Sequence, residues 1–564
     1  MRRIVSLVCL LLCPFATSLA QRHAEVFTHA DSIRGSNTPQ RAWWDVAFYD
    51  LHVRVNPADS SISGYNGITY RIIKPAAAEM QIDLQMPLLV DSMLQGGRHL
   101  TYRRDGNAFF VTLGTPQRVG DRKTVTVYYH GKPRVAKRPP WDGGLIWARD
   151  SLGNEWISTA CEGLGASVWW PNKDYLADEP DSQRIAITVP DSLEDVSNGR
   201  LRSVVHHDDG TDTYEWFVEN PINNYDVSIN AGHYAHFAKF YNGEQGILTM
   251  DFWPLAYHLD TARTQFQQAT SMMACFEHWF GPYPWYHDGY KLVEAPHLGM
   301  EHQSAVAYGN HYENGYLGRD LSHTGLGLKW DFIIVHESAH EWFGNNLTDK
   351  DAADMWVHEA FANYAENLYE ECQHGKEAGA RYVIGTRKNV RNDEPIIGHY
   401  GVNNEGSGDM YYKGGNMLHT IRQIINDDAK WRSILRGLNS HFRHQTVTGR
   451  QVEQYIDQQS GIDFDKVFQQ YLTTTKLPVL EYKIAGSTLS YRWTNVVPGF
   501  DMPVKVTLSD NSYSFIHPTE SWKTAALHVQ APSDFKVDEN FYVVPKNVGV
   551  AAHSAPATPT PTMR

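Results

Sequence analysis

Two histidines four residues apart, with a glutamate directly after the first, constrain this chain more than any other feature. His336-Glu337-Ser338-Ala339-His340 makes chemical sense only on a helix, where residues i and i+4 share a face and both imidazoles reach one ion. The upstream run Trp330-Asp331-Phe332-Ile333-Ile334-Val335 is largely apolar, which predicts that this helix is buried. Two imidazoles plus one carboxylate from a later segment would leave a coordination position open, the arrangement of a catalytic zinc rather than a structural one. The segment Asp351 to Glu366 predicts an amphipathic helix that could bring that carboxylate. On composition alone Glu359, His358 and Glu366 all compete for the third place; whichever are not ligands would form the wall or support the ligands. Glu337 sits beside the pair, able to reach a water on the metal without binding the metal itself.

With these residues in view, the chain resembles the M1 family of zinc aminopeptidases, the gluzincin group that includes aminopeptidase N and leukotriene A4 hydrolase. The family pattern is His-Glu-x-x-His, eighteen residues, then Glu, which selects Glu359 as third ligand with His336 and His340. The flanks His340-Glu341-Trp342-Phe343-Gly344-Asn345 and Trp356-Val357-His358-Glu359-Ala360-Phe361-Ala362 are similar to the family's, with departures at His358 and Ala360. The resemblance implies that Asp354, an acidic neighbour, orients a ligating histidine through the ring nitrogen not on zinc. Leu298-Gly299-Met300-Glu301-His302 is similar to the Gly-x-Met-Glu-Asn exopeptidase motif, which makes Glu301 the anchor for a substrate α-amine, with Gly299 and Met300 beside it. Ser158-Thr159-Ala160-Cys161-Glu162 aligns with the family's Thr-Gln-x-Glu, implying a second anchor at Glu162 and a less polar pocket floor at Ala160. Tyr411, in Tyr411-Tyr412-Lys413-Gly414-Gly415, matches the tyrosine that donates to the oxyanion; a shifted register would give that role to Tyr412.

A chain of 564 residues exceeds a single hydrophobic core and implies several domains. Arg2 and Arg3 precede the apolar run from Ile4 to Phe15, and Ser18-Leu19-Ala20 supplies small residues, so residues 1–20 are expected to be a cleaved export signal. The rival reading keeps Met1 to Ala20 as a membrane tether. After a polar, aperiodic lead from Arg22 to Gln40, strand patterns dominate from about Trp43 to Phe240, helices from about Leu328 to Leu472, and strands again after Leu477. The expected fold is multidomain α+β: an N-terminal β-sheet saddle domain (21–248), a thermolysin-like, mainly helical zinc domain (249–476), a small β domain (477–546) and a Pro/Thr/Ala-rich disordered tail (547–564). It lacks the large C-terminal helical-repeat domain of longer family members and looks like a short bacterial form.

Beyond the leader the cysteines are Cys161, Cys275 and Cys372, so at most one disulfide forms within the chain and none is read as a nucleophile. The charge balance, 50 basic against 64 acidic residues, shows no basic stripe and excludes nucleic acid as an expected partner. The resemblance implies one Zn2+ per chain, peptides with a free N-terminus as partners with no obligate protein partner, a broad neutral or hydrophobic preference, and a periplasmic or secreted location. Alternatives on the same fold are an epoxide hydrolase and an endopeptidase; a metal-stabilised scaffold is the non-enzymatic one.

Overall fold

The computed structural model describes residues 26–509 and 512–549. The expected leader and residues 550–564 of the tail lie outside the described residues. Strand Trp44–Asn56 pairs antiparallel with Ser61–Ile72 and parallel with Ser182–Pro190, and five further strands complete an eight-stranded sheet. Its register follows the alternation in the sequence: Tyr49, Leu51, Val53 and Val55 are buried, while Arg54 between them faces solvent. Gly144–Arg149 and Glu155–Ala160 belong to a separate four-stranded sheet, and the turn after Ala160 brings Glu162 into the cavity described below.

The polar lead is not featureless. Thr28 and Asp31 form a capping box on a helix over His29–Gly35. The guanidinium of fully buried Arg41 gathers the carbonyls of Ile33, Arg34 and Ser36 at the end of that helix, and donates to Asp83 Oδ2 at 2.6 Å. Fewer than two turns with no apolar stripe leave no periodic signal to read.

The central region combines a five-stranded mixed sheet with helices. In sheet order its strands are Phe237–Gly243, Gly246–Trp253, Tyr290–Glu294, Val306–Tyr308 and Gly299–Met300. The last two touch the helix Phe332–Ala339, which carries His336 and Glu337. Asp331 caps that helix, accepting from the Ile333 and Ile334 amides at 3.1 and 3.4 Å, and all eight of its residues are buried. Helix Trp356–His374 follows after a 3-10 turn at Ala352–Asp354, so the expected start at Asp351 is a cap: Asp351 Oδ1 accepts from the Ala353 amide. Its first fifteen residues are buried on every face, so it is not amphipathic there; neighbouring helices enclose it all round. Helix Tyr412–Ile425 packs closely against it through Gly414 and Gly415. A Cβ on Gly414 would fall 2.5 Å from the Ala360 Cβ, and one on Gly415 2.3 Å from Asn363 Oδ1. This approach sets Tyr411 over Glu359, and it explains why a small residue stands at 360.

Cys275 and Cys372 form a disulfide between helices Gln268–Phe280 and Trp356–His374, 97 residues apart in sequence; Cys161 is buried and free. Cys372→Ser is expected to lower stability by about 2–5 kcal/mol, read from denaturant midpoints, because it releases a long loop in the unfolded chain. The small β domain (Lys523–Ala526, Thr488–Thr494, Val479–Ala485, Val544–Asn547 in sheet order) shares the hydrophobic core of the central region through Leu480, Trp493 and Tyr542. No helix among the described residues is long and apolar enough to cross a membrane.

Candidate metal centre and active site

His336 and His340 point their Nε2 atoms at one oxygen, Glu359 Oε2, each at 3.5 Å. The other ring nitrogens are already engaged. His336 Nδ1 donates to Glu366 Oε1 at 2.9 Å, and His340 Nδ1 to the Phe343 carbonyl at 3.0 Å. A proton on each Nδ1 leaves both Nε2 lone pairs free for a metal. Glu359 Oε2 is buried and lacks any hydrogen-bond partner, an orphan that a cation among the three atoms would satisfy. Burial pulls the His336 pKa down, yet Glu359 and Glu366 together hold it well above the usual value, a sign that this pocket favours positive charge. The residues present therefore fit a zinc ion with an open side.

Asp354 does not support a ligand. Its carboxylate accepts from Tyr400 Oη at 2.7 Å and the Gly449 amide at 2.9 Å, tying loops together behind the site. Glu366 occupies the place foreseen for it, held by Asn363 and Tyr382 as well as His336. Residues 359 and 366 are two turns apart on one face, so the spacing carried this signal. His358 points away, its Nε2 accepting from the Asp349 amide at 2.9 Å. Replacing Glu366 with Gln is expected to weaken zinc affinity about 10–100-fold, measured by competition with a chelator of known affinity.

A cavity of about 500 Å³ opens over the three ligands. Glu337 lines it, its carboxyl pushed up to about 7 mainly by burial, with His336 offsetting and Glu301 adding to the shift. Gly299 lies against it: a Cβ there would sit 2.6 Å from Glu337 Oε1, so only glycine leaves this carboxylate its room. Met300, Glu301, Glu162 and Leu298 also line the cavity. Tyr225 Oη donates to Glu301 Oε1 at 3.0 Å, fixing the carboxylate. Burial pushes Glu162 well above the usual carboxylate range, and the charges of Glu301, Glu359 and Glu405 push it further. An arriving ammonium would offset the repulsion among these carboxylates.

Ala160 is not part of the cavity wall. It ends a strand buried on both sides, opposite Gly144, and the chain turns into the cavity only from Glu162 onward. Tyr411 lines the cavity and donates to Glu359 Oε1 at 2.7 Å. Burial and the Glu359 charge push its phenol far above the normal value, so it keeps its proton. Tyr412 also faces the cavity. Three further participants carried no motif: Glu405 and Trp141 (70% exposed) on loops at the cavity, and Arg34, which donates to the Gly163 carbonyl at 2.5 Å behind Glu162. Glu405 and Trp141 sit on loops, which follow no periodicity, and Arg34 on a helix too short to show one, which is why the sequence concealed them.

Residues 264–471 match the peptidase family M1 domain. "Probable aminopeptidase 1" of Sulfurisphaera tokodaii is 23% identical over 214 residues, 36% of this chain and 27% of that protein. Aminopeptidase N of Lactobacillus helveticus is 26% identical over 221 residues, 36% of this chain and 26% of its own length. The chain thus spans only about a quarter of these curated relatives. The M1 zinc metallopeptidase of Deinococcus radiodurans, in a variant bound to a Tyr-Ser-Ala substrate, superimposes with a TM-score of 0.65 at 21% identity, covering 78% of this chain and 96% of that one. A two-domain M1 zinc metallopeptidase variant bound to L-arginine gives 0.64 at 21% identity, covering 77% and 95%. The fold of this chain is that of the M1 zinc metallopeptidases.

Proposed function

We propose that the protein is a zinc-dependent aminopeptidase releasing single residues from the free N-terminus of peptides. The observation that carries this reading is the convergence, in one cavity, of three ligand atoms, Glu337, and the anchors Glu301 and Glu162. When bound by His336, His340 and Glu359, zinc supplies Lewis acidity toward a carbonyl and lowers the pKa of water. Glu337 takes a proton from the attacking water and delivers it to the leaving amine. Tyr411 donates to the carbonyl oxygen as negative charge builds there. Glu301 and Glu162 pair with the substrate ammonium and so set the first peptide bond over the ligands. An internal peptide brings no charge and leaves these buried carboxylates unmatched.

Support for a peptide substrate comes from the solved structures of like fold, one holding Tyr-Ser-Ala and another L-arginine. The apolar Met300 and Leu298 favour neutral first residues, while the two acidic anchors remain compatible with arginine. The leader-like sequence of residues 1–20 supports export to the periplasm or beyond as part of this reading; N-terminal sequencing from the native host is expected to start at Gln21, and an intact Met1 in the membrane fraction would overturn export. The activity test offers one peptide with a free and an N-acetylated terminus. Release of the first residue from the free form only, lost on chelation and restored by zinc, is the expected result. Equal cleavage of both would overturn the exopeptidase reading.

A further inference from the structure

The two acidic anchors are held in different ways. Glu301 is fixed directly: Tyr225 Oη donates to its carboxylate at 3.0 Å, and the Asn345 amide group donates to its carbonyl at 2.8 Å. Glu162 Oε1 is buried with no hydrogen-bond partner, and Glu301 beside it carries like charge. The place of the Glu162 carboxylate therefore depends on the backbone that carries it. That backbone is a tight turn, in which the Gly165 amide donates to the Cys161 carbonyl at 2.6 Å.

Arg34 grips this turn without lining the cavity. Its Nη1 donates to the Gly163 carbonyl at 2.5 Å and its Nη2 reaches the Glu162 carbonyl at 3.5 Å. Its Nε lies 4.0 Å from Asp174 Oδ2, which accepts from Ser167 Oγ at 2.5 Å a few residues further along the same loop. A guanidinium suits this task because its donors form a planar fork, whereas an ammonium is a point charge. Asn403 Nδ2 donates to the same Gly163 carbonyl at 3.2 Å. The Asn403 loop leads to Glu405, whose Oε1 would lie 3.0 Å from a Cβ on Gly163.

The helix that carries Arg34 is itself placed against both loops. A Cβ on Gly35 would fall 2.2 Å from the Val402 carbonyl carbon, and the Phe27 and His399 rings are 5.1 Å apart. Arg41, which gathers the carbonyls at the helix end, also donates to the Asp174 carbonyl at 3.0 Å. None of the residues of His29–Gly35 is buried, so the helix adds little to a hydrophobic core and is held by these polar contacts.

We infer that Arg34 is a positioning residue for the substrate amine: it ties the Glu162–Gly163 backbone to the N-terminal helix and so aims the Glu162 carboxylate at the ammonium. The inference rests on the aminopeptidase reading, in which Glu162 pairs with that ammonium. Loss of the grip would leave the zinc ligands and Glu337 in place and loosen the amine anchor alone, because Arg34 touches none of them.

The test compares two inhibitors of the zinc-loaded enzyme, leucine hydroxamate and isocaproyl hydroxamate, which share the metal-binding group and the side chain and differ in the α-amine. The parent is expected to bind the amine-bearing compound about a hundredfold more tightly, and Arg34→Met to cut that preference about tenfold. Binding of isocaproyl hydroxamate and the zinc content are expected to stay within about twofold of the parent. Arg34→Lys, which keeps one donor for the Gly163 carbonyl, is expected to fall between the two. Asn403→Ala removes the second donor to that carbonyl without touching the helix, and is expected to show the same selective loss in smaller measure. A parent-like preference in both Arg34→Met and Asn403→Ala, or equal weakening of the two inhibitors, would overturn the inference while leaving the aminopeptidase reading intact. A parent that does not favour the amine-bearing compound would instead defeat the reading on which the inference rests.

Discussion

Replacing Glu337 with Gln is expected to lower turnover about 10²–10⁴-fold, some 3–5 kcal/mol of barrier, while zinc stays bound at one ion per chain. The substitution keeps the shape of a buried side chain that lies against Gly299 and next to the ligand His336. What it removes is the capacity to accept a proton and return it. Glu337 is suited to that exchange because burial lifts its carboxyl to about 7 while the adjacent His336 restrains the rise, so neither protonation state is strongly favoured near neutrality. Metal analysis of the purified variant, beside steady-state rates on a free-amine peptide, separates lost chemistry from lost zinc. Wild-type turnover in a zinc-loaded variant would remove Glu337 from the mechanism.

The contrast between Glu337 and Asp354 shows what the sequence could and could not convey. His336, Glu337 and His340 are tied by helical spacing, and helical spacing survives folding, so their convergence could be read from residue numbers; Glu359 lies on another helix and was singled out only by the family resemblance. The strands around Tyr49 to Val55 were legible for the same reason, since alternation with period two is itself the geometry of a half-buried strand. Asp354 is the last residue of the 3-10 turn that precedes the helix, and the turn aims its carboxylate at Tyr400 and Gly449 instead of a histidine. Proximity in sequence to a ligand says little for a residue that stands outside the ligand's helix. Ala160 failed for a related reason: it belongs to the strand, and the cavity begins only with the turn that follows. The Arg41 clamp on His29–Gly35 and the approach of Glu405 to Gly163 each depend on contacts between segments more than a hundred residues apart or on helices too short to show a period. Such features are set by tertiary packing alone.

Tyr411→Phe is the substitution that tests the other half of the chemistry, and it is expected to lower kcat about 10²–10³-fold with little change in KM. The phenol stands at the N-terminus of helix Tyr412–Ile425, held over Glu359 by the glycine contact at Gly414 and Ala360. It donates to Glu359 Oε1 at 2.7 Å in the substrate-free protein. During the reaction that proton is available to a carbonyl oxygen gaining charge, and the raised pKa keeps the group a donor across the working pH range. Two roles are therefore open to the same hydroxyl, and they predict different losses. A group that only steadied Glu359 would, on removal, weaken zinc binding and leave turnover of the fully loaded enzyme near normal. A donor to the developing oxyanion would leave zinc affinity close to the parent and depress kcat at saturating metal. Tyr412→Phe supplies the comparison: Tyr412 lines the same cavity beside Tyr316 and Glu366, and removal of its hydroxyl is expected to change kcat less than about threefold on the same peptide. A deeper defect in Tyr412→Phe than in Tyr411→Phe would reverse the assignment of the donor.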